Sequence, residues 1–424
     1  MSAEDAFALG RATAARLRET GPGRPRLVLG VDTRWSAAML RHAFTAGALS
    51  RGADVVYAGV MPTPGVSFLT RTLGADAGVV VSASHNPFDD NGIKIFAATG
   101  DKLPDAEEAA IEAWLERDDQ DETVGDGIGR SERYRREVGA YRDFLLAHAP
   151  YLDGMRVGLD CANGAASDLA PEVFERIGAR LQVIHAKPDG RNINVACGST
   201  HPASIQEHVA SNGLEVGVTF DGDADRALLV DARGRLVTGD HAIAIVARVR
   251  GDLEVVGTIM TNLGIERWLA EHGVRTHRTA VGDRYVQQEL VRRGLRLGGE
   301  ASGHLLFLDK APTGDGLLTA LQTLAAVRAS GRPLERWMDE IPTYPQVLRN
   351  VRVDPSAKAE AAGHPDVVAA VAEVERELAD EGRVNLRPSG TEPLVRVMVE
   401  GRDAGQVEAC AARVADVVSR VAGA

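Results

Sequence analysis

Leu27-Val28-Leu29-Gly30-Val31-Asp32-Thr33-Arg34, continued by a helical stretch near Ser36 to Ser50, Gly52 and the apolar run Asp54 to Ala58, reads as strand, small-residue loop, helix, glycine turn and strand. Two later stretches repeat the plan. Val157-Gly158-Leu159-Asp160 passes through Cys161-Ala162-Asn163-Gly164 into a helix to Ile177, then Gly178 and Leu181 to His185. Val255 to Met260 passes through Thr261-Asn262 into a helix to Glu271, then Gly273 and Val274 to His277. Short apolar runs alternating with a helical pattern are βαβ units, and their recurrence predicts three related α/β domains. After residue 343 the pattern changes. Tyr344 to Val353, Gly382 to Arg387 and Leu394 to Glu400 read as strands, and Val367 to Leu378 and Gln406 to Val421 as helices, an α+β unit of antiparallel character. The predicted domains are 1–148, 149–240 and 241–342, each α/β with a mixed sheet, and 343–424, α+β, arranged around a central cleft. The charge-rich helix Tyr134 to His148 closes the first, and the acidic Asp118 to Gly129 reads as an exposed loop.

A chain of 424 residues is too long for one core, in keeping with several domains. No apolar stretch approaches the roughly 20 residues that span a bilayer. Met1 to Gly10 lacks the basic start and apolar run of a signal peptide, so the expected location is the cytoplasm, away from membranes. Cys161, Cys197 and Cys410 are odd in number and widely spaced, which suits reduced thiols. A net charge of −12 argues against a nucleic-acid surface, so an anionic ligand needs a local basic pocket. The chain has five lysines against 43 arginines, which makes Lys94, inside a motif, notable.

That motif runs from Val79 to Phe96. A β-branched strand ends in Ser82-Ala83-Ser84-His85-Asn86-Pro87 and a second strand begins at Ile93, placing hydroxyl, imidazole and amine at a strand end. A polar turn punctuated by Asn86-Pro87 is the alternative reading. Asp221-Gly222-Asp223-Ala224-Asp225-Arg226 follows the strand Val216 to Thr219. Carboxylates separated only by Gly and Ala can converge on one hard cation, magnesium where the partner is a phosphate. A solvated acidic turn is the alternative, and an EF-hand loop lacks its later glycine and glutamate. Arg226 beside the acids reads as an anion clamp.

Gly299-Glu300-Ala301-Ser302-Gly303-His304 joins carboxylate, hydroxyl and imidazole, the usual readers of sugar hydroxyls, although a turn between strands has the same composition. Val281-Gly282-Asp283-Arg284-Tyr285 opens a helix with an arginine suited to an anion, or with Asp283 as its cap. Arg387-Pro388-Ser389-Gly390-Thr391-Glu392-Pro393 offers a guanidinium, hydroxyls and free amides to a phosphate, with Arg396 as a second cation; a hairpin turn is again the plain alternative.

In order and spacing, the motifs at 82–87, 221–226, 299–304 and 387–401 resemble the α-D-phosphohexomutase superfamily and, within it, the bacterial phosphoglucosamine mutase family, over about Leu27 to Gly401. Val281 to Val286, Pro345 to Leu348 and Ser389-Gly390-Thr391 carry the narrower likeness. The resemblance implies isomerisation of glucosamine 6-phosphate and glucosamine 1-phosphate, feeding amino-sugar and cell-wall precursors. Ser84 would be the phosphoserine, and its phosphate with Asp221, Asp223 and Asp225 would hold Mg2+. A sugar 1,6-bisphosphate would be intermediate and activator. Lys94 would be the general acid/base, expected to titrate near neutrality among other cations. His85 would orient the serine loop, Arg34 and Arg226 would support it, and His304 would handle a second proton. Glu300 and Ser302 would read the sugar. Arg387, Ser389, Gly390 and Thr391, with Arg396, would grip the idle phosphate, and Arg34 and Arg284 complete the substrate-binding set.

Two alternatives stay open: a phosphomannomutase or phosphoglucomutase using the same chemistry, and a non-catalytic sugar-phosphate-binding homologue. The partner in every case is a phosphorylated hexose or hexosamine, and a homodimer is compatible. The family's opening strand, Phe-Gly-Thr-Asp-Gly-Ile-Arg-Gly, has no counterpart before the helix-like Glu4 to Glu19. By truncation or by nature, the first domain is expected to lack an edge strand and one active-site arginine, at some cost in stability or activity.

Overall fold

The computed structural model describes residues 1–117, 123–133, 136–389 and 392–423. Its first sheet comprises β1 (Arg26–Val31), β2 (Asp54–Val60), β3 (Ala77–Val81), β4 (Ile93–Ala97) and β5 (Ser131–Arg133), in the order β4-β3-β1-β2-β5. Only β4 runs antiparallel. Strands β1 and β3 are buried along almost their whole length, as near-continuous Val and Leu runs in a helix-covered parallel sheet should be. Four helices accompany the sheet, α1 (Ala3–Thr20), α2 (Ala37–Ser50), α3 (Thr63–Thr72) and α4 (Asp105–Leu115). Helices α1 and α2 touch backbone to backbone. A Cβ on Gly10 would lie 2.2 Å from the Phe44 carbonyl oxygen, and one on Gly47 would lie 2.0 Å from that of Phe7, so both positions require glycine.

After α5 (Arg136–Ala147), the second sheet contains β6 (Arg156–Asp160), β7 (Arg180–Ile184), β8 (Val216–Phe220), β9 (Ala227–Asp231) and β10 (Leu236–Val237), ordered β10-β9-β8-β6-β7. Its helices are α6 (Leu169–Arg176) and α7 (Ala203–Asn212). The third sheet, β12-β11-β13-β14, has β11 (Glu254–Thr258), β12 (Arg275–Thr279), β13 (Leu297–Gly299) and β14 (Leu305–Phe307). Around it lie α8 (Gly239–Arg250), α9 (Leu263–Glu271), α10 (Asp283–Arg293), α11 (Gly316–Ser330) and α12 (Leu334–Glu340). The last part is a fully antiparallel sheet, β15-β17-β16, of β15 (Gln346–Arg352), β16 (Gly382–Pro388) and β17 (Leu394–Gly401), with α13 (Lys358–Gly363), α14 (Pro365–Leu378) and α15 (Ala404–Ala422). Helices α3 and α7, which the strand repeats left unassigned, complete the layers. Of the stretch expected as an acidic loop, 118–122 lie outside the described residues, and Gly125–Gly127 forms a short 3-10 turn.

The chemistry-bearing motifs occupy one topological position three times. In each of the first three sheets the chain leaves a strand paired in parallel to a neighbour and returns as its antiparallel partner: β3 to β4, β8 to β9 and β13 to β14. The loops of those turns are 82–92, 221–226 and 300–304. One large core of buried side chains runs from Val28 to Ile341, whereas the last sheet has its own around Val395, Val397 and Val399. That sheet is pinned to the third by a buried clasp. Glu400, fully buried, accepts from the Leu263 amide at the start of α9 and from Arg383 Nε, both at 2.8 Å. Asp240 accepts from the neighbouring Asn262 amide at 2.8 Å, and burial pushes its carboxyl up to about 7.

Candidate active site

Ser84 stands at φ 50°, a left-handed conformation costly for a residue with a Cβ and characteristic of functional turns. The loop around it is held from below. Buried Arg34 donates from Nε to Asp32 Oδ2 (2.8 Å), from Nη2 to the carbonyls of Ser84 (2.9 Å) and Asn86 (2.8 Å), and from Nη1 to those of Pro87 and Asp90. Ser82 Oγ donates to Asp32 and accepts from the Ser84 amide. From the second domain, Asn194 Nδ2 donates to the same Ser84 and Asn86 carbonyls at 2.9 and 3.1 Å. Arg34, with 1% of its side chain exposed, is committed to the serine loop that it was expected to support. His85 is exposed; partial loss of water, then the charge of Arg226, lower its pKa.

Ser84 Oγ donates to Asp221 Oδ2 at 2.8 Å, which brings the serine loop onto the acidic loop. Oxygens of Asp221, Asp223 and Asp225 all lie within 4.8 Å of one another, and all three residues are buried. Burial first, then its two acidic neighbours, raise Asp221 well above the carboxylate range. Asp225 is held well below it: burial opposes the charge, but Lys94, His304 and Arg226 outweigh it. Lys94 Nζ donates to Asp223 Oδ2 at 2.6 Å and lies 3.7 Å from Asp225. The expected near-neutral titration of Lys94 is therefore corrected. Burial acts to lower its pKa, but the carboxylates raise it, because the neighbours the fold supplies are anions. Thr63, at the start of α3, clasps Asp223 twice, through its amide to the carbonyl (2.9 Å) and its hydroxyl to Oδ2 (2.5 Å).

Oδ1 of Asp223 and Oδ1 of Asp225 are buried without a hydrogen-bond partner. Unpaired carboxylate oxygens converging in an all-oxygen pocket fit a hard divalent cation such as magnesium. Arg226 Nε is likewise buried without a hydrogen bond, 3.8 Å from Asp225 Oδ1.

The third loop contributes His304, 4% exposed, between Asp225 (3.6 Å from Nδ1) and Asp283 (3.3 Å from Nε2). Burial opposes its positive charge, but the two acids prevail and raise its pKa. Glu300 Oε1 accepts from the Gly282 amide at 2.9 Å, and Ser302 Oγ is buried without a partner. Asp283 does not cap α10; it pairs with Lys102 at 2.5 Å and faces His304. Arg284 pairs with Asp105 and donates to the Leu103 carbonyl, linking α10 to the segment that opens α4.

In the last sheet Arg387 stands directly opposite Arg396 across the β16–β17 ladder. Desolvation and then the facing Arg396 charge lower the Arg387 pKa. Arg396 has Glu392 as its partner. Ser389 is buried, while Gly390 and Thr391 lie outside the described residues. Lys358, missed in the sequence, shapes this loop by donating to the Ser389 (2.7 Å) and Glu392 (3.2 Å) carbonyls.

Four family models match consecutive parts of the chain: phosphoglucomutase/phosphomannomutase alpha/beta/alpha domain I at 1–122, domain II at 133–234, domain III at 238–344, and the C-terminal domain at 348–417. The phosphoglucosamine mutase of Deinococcus radiodurans is 52% identical over 416 residues, 97% of this chain and 92% of that protein. A phosphoglucomutase/phosphomannomutase family protein of Burkholderia thailandensis has the same fold, with TM-score 0.81 at 23% identity, over 99% of this chain and 94% of its own. N-acetylphosphoglucosamine mutase of Aspergillus fumigatus, solved in complex with GlcNAc-6P and magnesium, superposes with TM-score 0.68 at 20% identity, covering 85% of this chain and 92% of that one.

Proposed function

The chain belongs to the phosphoglucomutase/phosphomannomutase family, and on that premise we propose that it is a phosphoglucosamine mutase, an isomerase-class phosphotransferase interconverting glucosamine 6-phosphate and glucosamine 1-phosphate. The observation that carries this reading is Ser84 Oγ, 2.8 Å from Asp221 in a buried three-carboxylate cluster that Lys94 also enters. Identity of 52% to a phosphoglucosamine mutase along nearly the whole chain supports the sugar.

Ser84 carries the phosphoryl group between turnovers. In the first transfer its Oγ–P bond breaks as the sugar's free hydroxyl oxygen bonds to phosphorus; the hydroxyl proton passes to a base of the site, and Ser84 Oγ takes a proton back. The bisphosphate then turns over and returns its other phosphate to Ser84 by the reverse exchange. Lys94, kept protonated by Asp223 and Asp225, is placed to give a proton, and His304 is the second group able to carry one. Asp221, Asp223 and Asp225, with an oxygen of the serine phosphate, would hold magnesium, which neutralises charge on the transferring group. Carboxylates committed to a cation hold Lys94 less tightly, which brings its proton within reach of the reaction. Arg226 faces the same anion. Glu300 keeps one carboxylate oxygen free of the Gly282 amide and, with Ser302, reads sugar hydroxyls. Arg387 and Ser389, with Gly390, Thr391 and Arg396, take the idle phosphate.

The division at 148, 240 and 342 then gives one loop per domain, and we place the enzyme in the cytoplasm. Among the described residues no helix is long and apolar enough to cross a membrane. Turnover of glucosamine, glucose and mannose phosphates, compared as kcat/KM, tests the reading. Clear preference for glucosamine supports it, and equal or better use of mannose or glucose phosphate overturns the choice of sugar.

A further inference from the structure

Away from the three-aspartate cluster, a second group of metal-ligating side chains gathers in the domain of β6–β10. Asp160 ends β6, His185 follows β7 and Cys197 lies in the loop before α7, and one donor atom of each falls within 4.8 Å of the others. Asp160 and Cys197 are fully buried. His185 is 32% exposed and lines a pocket of about 290 Å³ with Ser204, Glu207 and His208. Its Nδ1 lies 3.2 Å from Asp160 Oδ1, yet that nitrogen is buried with no aligned hydrogen bond. Two donors at about 2.1 Å from a tetrahedral cation stand about 3.4 Å apart, close to the 3.2 Å between His185 Nδ1 and Asp160 Oδ1.

We infer that Asp160, His185 and Cys197 form a second metal site, selective for a borderline-soft cation of the zinc class and chemically distinct from the all-oxygen aspartate cluster. Thiolate, imidazole and carboxylate favour such ions over magnesium, and one thiolate with one carboxylate neutralises a divalent charge. Water supplies the fourth ligand, as in open zinc sites. Binding of the cation displaces the thiol proton to solvent: thiol plus divalent ion gives metal thiolate plus one proton. The site ties together β6, β7 and the loop bearing Asn194, which holds the Ser84 carbonyl.

The test is titration of the full-length protein with Co2+ in excess Mg2+, read by absorption. The expected result is a saturable thiolate-to-cobalt charge-transfer band, lost in Cys197→Ser and retained in Cys161→Ser, Cys410→Ser and Asp223→Asn. His185→Gln, at a part-exposed position, should weaken cobalt binding about tenfold or more. No thiolate band in the wild-type protein, or a band that survives Cys197→Ser, overturns the site. If Cys197→Ser does not fold, undiminished Co2+ affinity in His185→Gln overturns it instead, leaving a protonated His185 paired with Asp160.

Discussion

Replacing Arg34 by lysine separates two roles for a buried guanidinium beside the reactive serine. Arg34 donates to Asp32 and to four backbone carbonyls, of Ser84, Asn86, Pro87 and Asp90. A lysine keeps the charge but offers three donors from one point, so it can retain Asp32 and at most two carbonyls. Asn194 still serves Ser84 and Asn86, which leaves Pro87 and Asp90 as the exposed losses. With hydrogen bonds to charged groups contributing about 1.5–3 kcal/mol each, and partial rehydration of the loop, the expected cost is about 2–4 kcal/mol. At roughly 2–4 °C per kcal/mol this lowers Tm by about 4–16 °C. Displacing Ser84 by about 1 Å should cut kcat about 100-fold. Thermal unfolding and steady-state kinetics on the same preparation check both. A Tm equal to wild type, with normal kcat and a raised KM, would refute the loop-holding role and restore Arg34 to the substrate.

Three further outcomes follow from individual contacts. Arg387→Ala should raise the KM for the sugar phosphate by about 10–100-fold, as expected for loss of a charge-assisted phosphate contact, while slightly raising the Tm because Arg396 no longer faces a like charge. Arg284→Ala, which breaks a surface pairing with Asp105, should change KM by less than about threefold and stability by less than about 1 kcal/mol; a large KM effect would show an anion role. Asp240 has a folded pKa of about 7 against 3.8 unfolded, so the stability it contributes is complete below the lower value and is lost as pH rises through the upper one. Between about pH 5 and 8 that loss is on the order of 2 kcal/mol, and Asp240→Asn should flatten it in pH-dependent unfolding.

The sequence made legible what short segments encode. Ser84, the three aspartates, Glu300, Ser302 and His304 each lie in a contiguous motif at a strand end, and the βαβ repeats announced the sheets that carry them. What stayed hidden depends on partners far along the chain. The carbonyls that Arg34 holds lie 50 to 56 residues away. The Asp105 partner of Arg284 is 179 residues distant. The pKa of Lys94 turns on Asp223, 129 residues on, whose loop the sequence could identify but not orient. Thr63 and Asn194 carry no local signal at all, because their work is done on loops of another sheet.

The most direct test of the account is intact mass and phosphopeptide mapping of the protein after incubation with a sugar 1,6-bisphosphate and magnesium, followed by addition of glucosamine 6-phosphate to wild type and Ser84→Ala. The account requires phosphate on Ser84 that is chased onto the sugar as glucosamine 1-phosphate appears, and neither label nor product in the variant. Turnover by Ser84→Ala at the wild-type rate, or phosphate on another residue, would contradict it.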